Sequence, residues 1–134
     1  MDPPGPAIPE AELVHFIRKG NSETNTSKAY LEQKPNTERA VLQYTTIGKS
    51  SVYSFLKIRL ITGRHHQIRA QLSAIGCPVK GDVKYGARRA NADRSIHLHA
   101  YQISLQHPIT KERMDFVAPL PAGDPVWDAL AALL

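Results

Sequence analysis

The chain has 134 residues, 42% of them apolar and 22% charged, which is enough for a packed core and excludes wholesale disorder. No apolar run approaches the ~20 residues of a membrane-spanning helix, and the start, Met1-Asp2-Pro3-Pro4-Gly5-Pro6, lacks the basic and apolar stretches of a secretory signal. One cysteine, Cys77, rules out an internal disulfide and a cysteine-clustered zinc site, so the expectation is a soluble protein of the reducing cytoplasm with no membrane partner.

In chain order, residues 1–9 carry four prolines and predict an irregular lead-in. Glu10 to Lys19 places Leu13, Phe16 and Ile17 at helical spacing, with acids first and bases last, and predicts a helix stopped by Gly20. Asn21 to Ser27 reads as loop. Arg39 to Ile47 reads as a strand, with a turn at Gly48-Lys49-Ser50. Val52 to Thr62 alternates, with Val52, Leu56, Ile58 and Leu60 assigned to the core and Tyr53, Phe55, Lys57 and Arg59 to the other face. After Gly63 the period changes: Ile68, Leu72 and Ile75 predict an amphipathic helix over 66–75, ended by Gly76, with Ile68 inward. A loop through Tyr85-Gly86 follows. Strands are expected over Ile96–Leu105 and Met114–Val117, with a turn near His107-Pro108. A terminal helix is expected over Trp127–Leu134, with Asp124 as N-cap and Pro125 in its first turn. Strands joined by hairpin-like turns, with separate helices, predict an α+β fold with a mainly antiparallel or mixed sheet and flanking helices.

The net charge of +5 is unevenly distributed. Between Lys57 and Arg94 there are nine cations and two anions, so that segment is +7 and the remainder −2. A concentrated cationic stretch suits a polyanion, although a solvated basic face reads the same from charge alone. The densest functional cluster is Thr62-Gly63-Arg64-His65-His66-Gln67-Ile68-Arg69, where Gly63 permits a tight turn and Arg69 shares a helix face with His65 and His66. A guanidinium there suits two-pronged binding of a phosphate or carboxylate. His97 and His99 would share a strand face, but no carboxylate or cysteine completes a metal-ligand pattern, and no metal is expected. No carboxylate pair or local Ser or Cys nucleophile motif stands out.

Leu56-Lys57-Ile58-Arg59-Leu60-Ile61-Thr62-Gly63-Arg64-His65-His66-Gln67-Ile68-Arg69 resembles the third conserved motif of RluA-type pseudouridine synthases. The resemblance continues through Gly76-Cys77-Pro78-Val79-Lys80-Gly81-Asp82-Val83-Lys84-Tyr85-Gly86, Leu98-His99-Ala100, His107-Pro108 and Phe116-Val117-Ala118-Pro119-Leu120-Pro121. It spans about 38–121 and is fainter over 10–37. It implies the pseudouridine synthase fold and isomerisation of uridine to pseudouridine in structured RNA, rRNA or tRNA, without cofactor or metal. The family's nucleophile is an aspartate in a His-Arg-Leu-Asp-type motif upstream of the third motif, and no Arg-Leu-Asp occurs here. Lys28-Ala29-Tyr30 imitates the family's Lys-x-Tyr context but lies too close to Gly63, and is read as coincidence.

The resemblance therefore casts 10–134 as the C-terminal half of a synthase domain. It makes Arg69 the arginine that would salt-bridge the absent aspartate, with no acid partner in its own chain. Arg64, His66, Gln67, Lys80, Lys84, Arg88 and Arg89 become the RNA contacts. Inactivity of the chain alone follows. The alternative is a non-catalytic RNA-binding module or pseudoenzyme on the same half-fold. The missing half, or a second copy, would cover an exposed sheet edge. If Arg69 is a functional rather than a structural group, Arg69→Ala should cost little stability. An Arg69 already clasping a buried local carboxylate beside an enclosed pocket would count against the half-enzyme reading.

Overall fold

The computed structural model describes residues 6–133 apart from Ser22 and Ser51. The expected lead-in lies outside the described residues as far as Gly5, and residues 6–9 are irregular. The chain divides into two compact units, one ending at His97 and the other beginning at Leu98.

The first unit is built on an antiparallel sheet. Its strands are β1 (Glu10–Arg18), β2 (Lys28–Tyr30), β3 (Glu38–Lys49) and β4 (Ser54–Leu60), in the order β2-β1-β3-β4. The helix expected over 10–19 is instead β1, which pairs with β3 from Glu10↔Thr45 to Ile17↔Glu38. The apolar spacing was ambiguous because His15 is a core residue, only 2% exposed. Counting it as inward turns Leu13, His15 and Ile17 into a period-two pattern, the strand signature. β3 runs through the expected turn at Gly48 as far as Lys49, with a bulge between Thr46 and Gly48.

The bulge also revises the faces of β4. Phe55, opposite Gly48, is buried, whereas Leu60 at the other end is 49% exposed. Phe55 is expected outward and Leu60 inward, so both positions reverse the expectation in a strand paired across a bulge, which adds local twist.

The expected helix forms as α1 (Gln67–Ala74). Cys77 N–H donates to Leu72 O and Gly76 N–H to Ser73 O, with Gly76 at φ 79°, a Schellman stop that needs the left-handed backbone glycine adopts freely. The buried side chains are Gln67, Ala70, Gln71 and Leu72 rather than the Ile68–Leu72–Ile75 row, and Ile68 is only half-buried. The reason is polar. Gln71, fully buried, donates from Nε2 to Leu13 O at 3.2 Å and bonds His15 Nδ1 at 2.8 Å, which ties α1 to β1. Ile17, Ala40, Ala70 and Tyr85 pack together between sheet and helix. Tyr85 arrives on a 3-10 turn (Val83–Tyr85) after Gly81-Asp82.

Burial lowers the His15 pKa below its ordinary 6.5, because a charged imidazolium is poorly solvated there. As pH falls through about 6.5 the unfolded chain gains a proton that the folded chain refuses. This stability is therefore complete above that pH and declines below it. Urea midpoints should fall between about pH 8 and about pH 5, and His15→Gln should remove part of the fall. An unchanged slope in the variant would show that His15 is not the group responsible.

The second unit holds the hairpin β5 (Gln102–Gln106) and β6 (Arg113–Val117), followed by α2 (Pro125–Ala131). The strand expected from Ile96 begins only at Gln102, so His97 and His99 share no strand face. α2 starts as expected, with Asp124 Oδ1 accepting from Val126 and Trp127 N–H. The α+β class with antiparallel sheets matches the expectation.

Candidate functional site

The junction from β4 into α1 is held by one buried amide. Gln67 Oε1 accepts from the Thr62 hydroxyl at 2.8 Å and from Arg64 N–H at 2.9 Å, and its Nε2 donates to Val41 O at 2.9 Å. Gln67 is 3% exposed, so it braces the turn and does not reach an RNA strand as the motif resemblance implied. The positive backbone angle falls not on Gly63, where a Cβ would meet nothing within 4 Å, but on His66 at φ 50° and ψ 31°. Left-handed backbone at a non-glycine residue is strained and needs surrounding contacts to hold it.

Those contacts form one network. His66 Nδ1 lies 2.8 Å from the Tyr85 hydroxyl, which also accepts from Ser27 N–H at 2.9 Å. His65 stacks on His66 with centroids 3.9 Å apart, and its Nδ1 bonds the Ser27 hydroxyl at 2.8 Å. Arg69 Nη1 lies 3.4 Å from His66 Nε2. A neutral His66 protonated on Nδ1 satisfies both its contacts, donating to Tyr85 and accepting from Arg69. Its pKa is lowered first by burial, then by the charges of His65, Arg69 and Lys84, with Asp82 opposing, so the neutral form is favoured.

At the centre sits an ion pair. Arg69 donates from Nε to Asp82 Oδ2 and from Nη2 to Oδ1, both at 2.8 Å, and its guanidinium lies 4.6 Å from the Tyr85 ring centroid. Asp82 is 1% exposed and the Arg69 side chain 20%. The hydrogen bonds to Asp82 raise the Arg69 pKa against the opposing effect of burial. Arg69 thus has an acid partner thirteen residues along its own chain, contrary to the expectation of none. Two depressions among the described residues are lined by other side chains, with neither Arg69 nor Asp82 among them. One of these is a depression of about 240 Å³ lined by Lys19, Asn36, Glu38, Gly63, Arg64 and His65.

The remaining candidates separate by exposure. Arg64 donates from Nε to Arg39 O and pairs with Glu38 at 2.9 Å. Lys80 is half-buried, donating to Asn91 Oδ1 and lying 5.5 Å from the Tyr53 ring centroid, so it braces the loop instead of standing free for phosphate. Lys84, Arg88 and Arg89 are exposed. Among the described residues no three His, Cys, Asp or Glu side chains converge as metal ligands. Reading from the residues alone missed Asp82, Tyr85 and Ser27. The signal for Asp82 was a carboxylate behind a glycine, in a loop otherwise rich in cations.

The model of the RNA pseudouridylate synthase family matches residues 5–74, over half of the chain. The chain belongs to this family. The match includes residues 10–37, where the motif resemblance was fainter. An uncharacterized RNA pseudouridine synthase of Chloroflexus aurantiacus is 40% identical over 89 residues, covering 66% of this chain and 28% of that relative. The ribosomal large subunit pseudouridine synthase D of Pasteurella multocida is 36% identical over 109 residues, covering 72% and 34%. The solved structure of human RNA pseudouridylate synthase domain containing 1 overlays with a TM-score of 0.70 at 25% identity, covering 98% of this chain and 55% of that one. The chain spans about a third of the length of these curated relatives.

Proposed function

We propose that this chain is the arginine-bearing, RNA-contacting part of a uridine-to-pseudouridine isomerase acting on structured RNA, either rRNA or tRNA, and that it is inactive alone. The observation that carries this reading is the state of Asp82. Both its oxygens are engaged by Arg69 and it is 1% exposed, so it is no nucleophile for the C1′ of a flipped-out nucleotide. Arg69 Nη1 has only the 3.4 Å contact to His66 among the described residues. That leaves it a donor for a second anion, the carboxylate the family resemblance supplies from outside this chain. There it would hold the incoming aspartate ionised.

The half-exposed Leu60 and Ile61 at the end of β4 mark an edge that the missing half, or a second copy, would cover. The reading is tested by tritium release from RNA carrying labelled uridine. No release is expected from the chain alone, and robust turnover would overturn it. Absence of turnover after the upstream half is supplied would favour the non-catalytic RNA-binding module, in which Asp82 has permanently filled the arginine fork.

The RNA contacts proposed are the exposed Lys84, Arg88 and Arg89, with Arg64 and His66 at the turn. Replacing Lys84, Arg88 and Arg89 with alanine should lower the slope of log affinity against log salt by about two to three, at ~0.7–0.9 per lost phosphate contact. Filter binding across a salt series checks this. A slope equal to the parent's would remove these three from the interface.

A further inference from the structure

The sheet has a second face, away from α1. β1 and β2 pair as Phe16↔Tyr30, Ile17↔Ala29 and Arg18↔Lys28. Ala29 packs on the Ile17–Ala40–Ala70–Tyr85 core beneath the helix. By strand alternation Tyr30, Lys28 and Arg18 therefore point to the opposite face, away from Arg69 and His66.

Three cations converge there on one ring. The Arg18 guanidinium, Lys28 Nζ and Lys34 Nζ lie 5.4, 5.3 and 5.8 Å from the Tyr30 centroid. Arg18 donates from Nε and Nη2 to Pro35 O at 3.3 and 3.0 Å, and from Nη1 to the Tyr30 hydroxyl at 3.5 Å. Lys34 is delivered by an ordered turn in which the Thr37 hydroxyl accepts from Lys34 N–H and donates to Lys34 O, with Asn36 at φ 60°. All three cations are exposed, and among the described residues no carboxylate lies at ion-pair distance from them. The negative face of the ring attracts each cation, but the cations repel one another, and Glu32, two residues from Lys34, forms no ion pair with them among the described residues. A polyanion laid across the ring would neutralise them. A guanidinium already fixed by three hydrogen bonds loses little freedom in accepting it.

We propose that Arg18, Lys28 and Lys34, gathered on Tyr30, form a second RNA-backbone site on the sheet face opposite the Arg69 network, which carries an RNA strand around the β2 edge. The site rests on the RNA-binding reading of the chain, and its ligand is the phosphodiester backbone rather than a base sequence.

The test uses the full chain, an unstructured oligouridylate of about 20 nucleotides, and fluorescence anisotropy over a salt series. Lys28→Ala with Lys34→Ala should weaken binding roughly tenfold at low salt and reduce the salt slope by about 1.4, two single-strand phosphate contacts. Lys28→Arg with Lys34→Arg should restore both. Parental affinity and slope in the double alanine variant would overturn this site and leave the RNA reading standing. No RNA binding by the parent chain would overturn both. Polyglutamate of matched charge competing as well as RNA would reassign the surface to an acidic protein and overturn the proposal.

Discussion

Arg69→Ala should unfold the first unit more readily than any other single side-chain truncation in the network, at a cost of about 3–5 kcal/mol. The reason is what it leaves behind. Asp82 is 1% exposed and, among the described residues, both its oxygens are bonded by Arg69, so truncation strands a buried carboxylate. The converse change should be milder. With Asp82→Ala the guanidinium, already 20% exposed, turns toward solvent and keeps the Tyr85 ring beneath it. A double-mutant cycle in urea should therefore be asymmetric, with Arg69→Ala the costlier arm and a coupling of about 2 kcal/mol or more between the two positions. Equal, small losses would mean the pair is solvated in solution.

This reverses the expectation that a functional Arg69 should be dispensable for folding. A structural role is compatible with the proposed functional one because the guanidinium has two edges. Nε and Nη2 are taken by Asp82, while Nη1 faces His66. A guanidinium clamped on one edge is pre-oriented on the other, the condition for electrostatic preorganisation at a reacting centre. Stability measurements on Arg69 variants therefore bear on the local pair, and only turnover with the upstream half bears on the proposed catalytic role.

What the sequence disclosed follows the range of the forces involved. β3, α1, the hairpin and α2 are legible because their signals are local: the apolar, aromatic and β-branched run Val41–Ile47, glycine after Ile75, and Asp124-Pro125 ahead of Val126. β1 was misread because its inward row includes a histidine, which is apolar enough to bury only once Gln71, fifty-six residues away, bonds its Nδ1. Gln67 reads as a surface ligand from sequence for the same reason. A glutamine beside Arg64 looks solvent-facing until Val41 O and Thr62, brought in by β3 and β4, fill its hydrogen-bonding capacity. The motif resemblance locates the arginine and assigns it an aspartate outside the chain, whereas the acid it holds in the structure is Asp82. Contacts such as Ser27 to Tyr85, fifty-eight residues apart, exist only after the sheet has formed.

Gly81→Ala should be strongly destabilising, at about 3 kcal/mol. Gly81 sits at φ +86°, where an L side chain costs roughly 1–2 kcal/mol of backbone strain. The added Cβ would also fall 2.4 Å from Asn91 Nδ2 and 2.8 Å from Ser95 O. The first contact can yield only by breaking bonds, because Asn91 Nδ2 donates to Ser95 O at 2.7 Å and Asn91 Oδ1 accepts from Lys80. The second is backbone and does not yield, which adds an overpacking cost of about 1–3 kcal/mol. The relaxation would have to move residue 81 or the 91–95 turn, and Asp82 is covalently next in line. The substitution should therefore lower the melting temperature by roughly 10 °C. It should also shrink the Arg69–Asp82 coupling when the double-mutant cycle is repeated in the alanine background. A lowered melting temperature with an unchanged coupling would mean that the loop absorbs the methyl without displacing Asp82. The placement of the carboxylate would then belong to the 3-10 turn that carries Tyr85, held by Ser73 Oγ donating to Tyr85 O and by Ala87 N–H donating to Asp82 O, rather than to the glycine ahead of it.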